Sequence, residues 1–122
     1  MTKQQNQVLQ FMRAFEQHLE VTPKCIPYAE GKLRKLLVIE ECSELVAAIE
    51  DNDLVAIADA CADILYVVLG TANAYGFDLE PVFDEVHRSN MSKVGGKKDP
   101  NGKIIKPPTY SPADIAPLLR GW

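Results

Sequence analysis

The 122-residue chain is 47% apolar and 25% charged, with a formal net charge of −4. That length suits one domain burying about two thirds of its unfolded surface. The balance excludes a nucleic-acid-binding surface, because no basic helix with interleaved aromatics occurs and the middle of the chain is acidic.

Val8, Phe11, Met12, Phe15 and Leu19 recur with a period near 3.6, which predicts an amphipathic helix over about residues 4–20. Phe11 and Phe15 are expected in its core face. Pro23 and Pro27 then enforce a loop. A second helix is expected from Glu30 to about Glu50, followed by a turn at Asp51-Asn52-Asp53 that supplies an N-cap. A third runs from Leu54 to about Tyr75, with Gly76 placed as its C-cap. Asp78 can cap a fourth, which tolerates Pro81 in its first turn and reaches about Lys93.

Beyond Gly95-Gly96 the character changes. Asp99-Pro100-Asn101-Gly102 is a strong turn, Pro107-Pro108 is extended, and Ser111-Pro112 opens a short terminal helix closed by Gly121. The expected fold is all-α and a single domain: a four-helix core over about residues 4–93 and an irregular C-terminal arm over about 94–122. Leu54–Phe77 is apolar enough to raise a membrane span, but two aspartates inside it and no basic flank argue against one. Cys25, Cys42 and Cys61 have neither CxxC pairing nor metal-finger spacing, and the N-terminus lacks a secretory core. A reducing, cytoplasmic setting is expected, with Cys42 and Cys61 as small core residues.

Charge is unevenly distributed. Between Lys35 and Arg88 there are twelve acids and no Lys or Arg; basic residues return as Arg88, Lys93, Lys97, Lys98, Lys103 and Lys106. That pattern fits a ligand carrying both metal ions and phosphates. Within the acidic stretch, Glu40, Glu41 and Glu44 share a helical sector with Leu33, Leu37 and Ala48, while Lys32, Lys35, Ser43 and Glu50 face the other way. Asp59 and Asp63 are the only charges between Leu54 and Phe77, and share their face with Ala56, Tyr66, Val67 and Gly70. A helix apolar all round is buried, so both aspartates belong inside the protein or in a cleft. Five like charges in one space make sense around a cation, and carboxylate-only ligation selects Mg²⁺, with Mn²⁺ as substitute. Di-iron bundles require paired Glu-x-x-His motifs, whereas only Asp84-x-x-His87 has that spacing.

The stretches E-E-C-S-E, A-D-A-C-A-D-I-L-Y-V-V-L-G-T-A and V-H-R-S-N-M-S-K together resemble the MazG-like all-α nucleoside triphosphate pyrophosphohydrolases. That superfamily includes phosphoribosyl-ATP pyrophosphohydrolase and dimeric dUTPases. The resemblance runs from about Phe11 to Asp114 and is strongest to a bacterial and phage subgroup that includes members with dUTPase activity. It implies a Mg²⁺ site made by Glu41, Glu44 and Asp63, with Glu40 or Glu41 as general base. The family's E-x-x-D motif places a glutamate where this chain has Ala60; Asp59, one residue earlier, is the expected stand-in. Asn90 and Lys93 fit the family's nucleotide-contacting N-x-x-K.

The implied reaction is hydrolysis at the α-phosphate to a monophosphate and pyrophosphate, with dUTP or dCTP preferred. Lys93, Lys97, Lys98, Lys103 and Lys106 are expected to offset charge on the leaving pyrophosphate, with Arg88 as a bidentate donor. Tyr66 and Asn73, on the aspartate face, are candidates for the base, and Asn73 reads equally well as a satisfied interface residue. Two other readings stand: hydrolysis of phosphoribosyl-ATP, and a non-catalytic helical partner that kept the fold. Ile39, Val46, Leu65 and Leu69 lie away from the acids and suggest a homodimer, or a dimer of dimers.

Overall fold

Thr2 starts the first helix, α1 (Lys3–Ala14), by accepting a hydrogen bond from the Gln5 amide at 3.1 Å. Gln5, Val8 and Met12 follow at spacings of three and four, and all are buried on one face. The structure is a computed structural model and describes residues 1–119. Three longer or comparable helices follow: α2 (Tyr28–Glu50), α3 (Leu54–Tyr75) and α4 (Leu79–Met91), then a 3-10 turn at Ala116–Leu118. Among the described residues the only extended pairing is an isolated antiparallel bridge between Lys98 and Ile104. The all-α expectation holds.

The described residues divide into two compact units, Met1–Leu79 and those from Glu80 onward. In the first unit, α3 packs against both α1 and α2. Its core is Val8, Met12, Leu69 and Ala74, with Leu19, Ile26, Tyr75 and Leu79 packed against it. Leu69 is therefore a core residue and not, as expected, part of an outward apolar face. Fully burying a side chain such as Met12 or Leu69 contributes about 1.5–3 kcal/mol.

Within this core lies one polar clamp. Gln5 is fully buried; its Nε2 donates to Asn73 Oδ1 at 3.1 Å and to the Phe77 carbonyl at 2.9 Å, and its Oε1 accepts from the Leu79 amide at 3.0 Å. Asn73 Nδ2 donates back to the Gln5 carbonyl at 3.3 Å. Every polar atom of the pair is used, so the burial is not penalised.

An 18-residue window of α3 reaches a mean hydropathy of 1.8, sufficient by length and composition for a membrane span. The helix nevertheless carries Asp59 and Asp63 and supplies Leu69, Ala72 and Ala74 to the protein interior. Cys42 and Cys61, expected inside, are exposed. They sit on the outer sides of α2 and α3, where apolar composition reflects something other than the core.

The three helices of this unit end alike. At each, the last turn closes through a 6→1 and a 5→2 backbone pair around one left-handed residue. At α1 these are Gln17 N to Met12 O (2.9 Å) and Glu16 N to Arg13 O (3.2 Å), about Glu16 at φ 53°. At α2, Asp53 N bonds Ala48 O (3.2 Å) and Asn52 N bonds Ile49 O (3.0 Å), about Asn52 at φ 51°. At α3, Phe77 N bonds Ala72 O (3.1 Å) and Gly76 N bonds Asn73 O (3.2 Å), about Gly76 at φ 80°.

This explains the largest boundary error. The first helix stops at Ala14, not near residue 20, because Glu16 turns left-handed. Leu19 keeps its apparent periodicity by packing on the core from the loop. The second helix begins at Tyr28, two residues before the expected Glu30, because Pro27 at φ −54° is a ready helix entry.

In the second unit, the turn at Asp99 forms as expected: Asp99 Oδ1 accepts from the Asn101 and Lys103 amides, each at 2.9 Å. The terminal helix does not start at Ser111. Ser92 Oγ accepts the Ser111 amide at 2.8 Å and Glu85 Oε2 accepts the Asp114 amide at 2.8 Å. Those bonds hold residues 111–114 out of helical geometry, so only the 3-10 turn at Ala116–Leu118 forms. Gly121, its expected end, lies outside the described residues.

Two substitutions test the helix ends. Glu16→Gly relieves a left-handed non-glycine residue and should raise unfolding stability by about 0.5–1 kcal/mol in urea denaturation. Gly76→Ala should lower it by roughly 2 kcal/mol or more, since a Cβ there adds the same strain and meets the Thr22 carbonyl.

Candidate active site

Successive turns of α2 bring the glutamates together. Glu40, Glu41 and Glu44 each offer a carboxylate oxygen, all within 4.8 Å of one another. Glu40 and Glu44 are exposed, while Glu41 and, on α3, Asp63 are half-buried. One oxygen of Glu41, Oε2, is buried without a partner. Burial, then a hydrogen bond to Glu44 and the charges of Glu44, Asp63 and Glu40, push the Glu41 carboxyl up to about 7. A carboxylate raised this way lacks a counter-charge, and an orphaned oxygen beside it lacks a donor. A hard divalent cation supplies the first and occupies the second, so the residues present fit one.

A cleft of about 280 Å³ opens beside this cluster. Glu41 and Asp63 are at its acidic side; Val8, Phe11, Met12, Leu37 and Val67 make apolar walls. Phe11 is not a core residue as expected. It is 41% exposed and meets Tyr66 edge-on, with ring centroids 5.6 Å apart. Phe15, also expected inside, is 66% exposed and packs on Phe11 at 4.6 Å. Tyr66 lines the cleft, as its place one turn beyond Asp63 predicted.

Two candidates lie apart from this arrangement. Asp59 is exposed and belongs to neither the glutamate cluster nor the cleft lining. Asn73 is 5% exposed and its amide is taken up by Gln5, with Met12 Sδ also within 3.9 Å. It is satisfied, as its alternative reading held, but inside the core of the chain and not at an interface.

Residues 8–90, which include the whole of this cleft, match the phosphoribosyl-ATP pyrophosphohydrolase family. The chain belongs to that family. It is also 51% identical over 49 residues to an uncharacterized protein of Acanthamoeba polyphaga mimivirus, an alignment covering 40% of this chain and 20% of the viral protein.

The family motif is incomplete here at Ala60, which is 4% exposed and part of the packed interior. The sequence reading also missed Arg34. This residue is only 7% exposed, lines the cleft with Glu41 and Asp63, and has no hydrogen-bond or ion-pair partner among the described residues. A signal existed: Arg34 precedes Glu41 by seven residues, which places both within about 20° on one helical face.

The remaining candidates lie in the second unit. Asn90, Lys93 and Lys103 line one cavity of about 450 Å³ with Val94, Gly95, Gly96 and Ile104. Lys93 Nζ donates to Asn90 Oδ1 at 3.0 Å, and Lys106 Nζ stands 4.8 Å over the Tyr110 ring. Arg88 is committed elsewhere. Its Nε and Nη2 donate to the two oxygens of Glu85 at 2.7 and 2.9 Å, and Nη2 also donates to the Pro112 carbonyl at 3.0 Å. It holds the arm against α4, a positioning task unlike the phosphate contact expected of it.

The same clamp sets a pH dependence. Hydrogen bonds from Arg88 and then the Asp114 amide hold the Glu85 carboxyl down at about 2, from an ordinary value of 4.5. A depressed carboxyl stabilises above its unfolded value, and that contribution is lost as pH falls through the folded one. The protection factor of the Asp114 amide should therefore hold from neutrality to about pH 4.5 and fall between there and about 2. In Glu85→Gln, Asp114 should exchange faster at neutral pH and show no such step.

Proposed function

We propose that the chain is a Mg²⁺-dependent nucleoside triphosphate pyrophosphohydrolase of the cytoplasm. The observation that carries this reading is the glutamate trio on α2, whose Glu41 lines one cleft together with Asp63 and keeps a buried oxygen without a partner. Glu41, Glu44 and Asp63 are the residues that would hold the ion. When bound, it supplies charge neutralisation at the phosphates and a more acidic water.

The chain's own part is positional and protolytic. Glu40 or Glu41 accepts the proton of a water whose oxygen bonds to the α-phosphorus. The α–β anhydride bond breaks, and pyrophosphate leaves with the electron pair. A nucleoside monophosphate remains. The apolar walls beside the carboxylates exclude bulk water from the base end and orient the nucleotide. Favoured substrates are pyrimidine deoxynucleotides, dUTP or dCTP, because the cleft is small. A second reading, phosphoribosyl-ATP as substrate, is favoured by the family that residues 8–90 match.

Incubation with each triphosphate and with phosphoribosyl-ATP, in Mg²⁺ or Mn²⁺, should release pyrophosphate from one of them. Release of orthophosphate instead would exclude attack at the α-phosphorus. Glu44→Gln and Asp63→Asn should each lower kcat by about 10²-fold or more. Independently of turnover, Mg²⁺ at a hundred times Kd should stabilise the wild type by about 2.7 kcal/mol, and Glu44→Gln by much less. Inertness toward every substrate together with no Mg²⁺ stabilisation would favour a non-catalytic partner protein.

A second copy of the chain completes this reading. On α2, Leu36, Ile39, Ser43, Val46 and Glu50 are all exposed, and on α3 so are Leu54, Ala58, Cys61, Leu65 and Val68. Both rows alternate spacings of three and four, the seam of helices packing side by side. Light scattering should give twice the 13.5 kDa chain mass, or four times for a dimer of dimers. Val46→Glu with Leu65→Glu should shift it to one.

A further inference from the structure

Among the described residues, Arg34 is a buried cation with no partner of its own. It lies on α2 at 7% exposure, and its guanidinium lines the cleft between Gly70 and the apolar wall of Val8, Met12 and Leu37. Burial lowers its pKa, the direction expected of a charge taken from water without compensation. Glu30, one turn earlier, lines a neighbouring cavity of about 60 Å³ with it, yet the two form no ion pair and Glu30 Oε2 is itself buried without a partner. Such an arrangement costs stability and has no evident structural return.

Gly70 makes room for it. A Cβ there would stand 2.5 Å from Arg34 Nη1, so the absence of a side chain at this position of α3 keeps the guanidinium in place. The cost of glycine inside a helix is borne where the arginine needs the space.

We propose that Arg34 is the residue that recognises the base of the substrate, donating to ring acceptor atoms of a pyrimidine that lies against Phe11 and Tyr66. The inference rests on the nucleotide reading of the carboxylate site. Three features separate a base from a phosphate here. Arg34 and Glu41 are seven residues apart on one helix, roughly 10 Å along the axis, so a ligand with phosphate at the carboxylates presents its other end to the guanidinium. The walls between are apolar and aromatic, which suits a flat ring and opposes a polyanion. At about 280 Å³ the cleft is just below the ~300–1,000 Å³ usual for small-molecule sites, room for a ring but not for a whole triphosphate.

The donor pattern narrows the base. A guanidinium has donors only, in a planar fork that matches two adjacent acceptors. Neutral cytosine presents such a pair at O2 and N3, whereas uracil interposes an N3–H donor between its two oxygens. Arg34 therefore favours cytosine.

The test uses binding in EDTA, so that neither a metal nor turnover is needed. Chemical-shift titration of the full chain with deoxycytidine should show binding in the cleft, tighter than deoxyuridine. Arg34→Met should weaken deoxycytidine at least tenfold while leaving Tm unchanged or raised, as removal of an unpaired buried charge predicts. Gly70→Ala, which keeps the charge but occupies its place, should weaken deoxycytidine in the same way. Inorganic pyrophosphate, titrated with Mg²⁺ in place of EDTA because the bare carboxylates repel it, is the phosphate-only probe, and its affinity should be the same in wild type and Arg34→Met. Retained deoxycytidine affinity in Arg34→Met, or a selective loss of pyrophosphate binding, overturns the proposal. Pyrophosphate release assays on the same proteins keep the two readings apart: a wild type that binds deoxycytidine through Arg34 but hydrolyses nothing defeats the enzyme reading alone.

Discussion

The cleft exists because a short helix is held down at one end. At 12 residues α1 is too short to be stable alone in water. It stays in place through Gln5, which is fully buried and bonded to Asn73, Phe77 and Leu79, and through Val8 and Met12 beneath it. The clamp is directional as well as adhesive. A purely apolar contact would allow α1 to slide or rotate, whereas the four hydrogen bonds between Gln5 and its partners fix both its register and its face. With that register set, Val8, Phe11 and Met12 become one wall of the cleft, and α3 becomes the element shared by core and site.

The charges at the two ends of the cleft follow opposite logics with the same result. At one end, burial, a hydrogen bond to Glu44 and the like charges around it push one carboxyl to about 7. At the other, a single guanidinium is taken from water and left without a partner among the described residues. Both arrangements are unfavourable in the ligand-free protein, and neither is required by the core, which is complete without them. Stability given up in two places around one cavity is the physical mark of a site complementary to something not yet bound.

How far the sequence disclosed this depends on the kind of signal. The third helix was legible at both ends because Asp53 caps it with a side chain and Gly76 ends it with a left-handed turn, each a residue whose local chemistry points to that role. The end of the first was not, because the same left-handed turn there is made by Glu16, which carries no such preference, and because Leu19 mimics helical period from a loop. The glutamate trio was legible from i, i+1, i+4 spacing alone. Arg34 was not, since a single arginine beside Lys32 and Lys35 looks like part of a solvated face until its own angle is compared with that of Glu41. Asp59 shows the converse error: an aspartate in an apolar helix was assigned inward, but the outer side of α3 is apolar too, so apolar neighbours did not imply burial. Asn73 shared the aspartate face in projection but lies far enough along α3 to meet α1 instead.

Because Arg34, Glu41 and Glu44 all belong to α2, their spacing is fixed by helical rise and not by loop conformation. The roughly 10 Å between the first two is therefore as rigid as the helix itself. Asp63, Tyr66 and Gly70 repeat the order on α3: acid at one end, aromatic in the middle, space for the guanidinium at the other. Two antiparallel helices joined by a three-residue turn thus present the same sequence of environments to a ligand lying between them. A site built this way selects by length and polarity together, since a molecule must place negative charge at one end and hydrogen-bond acceptors at the other to satisfy both. The loops need contribute only the turn at Asp51-Asn52-Asp53 that brings the helices face to face, which is why the register of that turn, set by Asn52 and the Asp53 cap, matters as much to the site as any residue lining it.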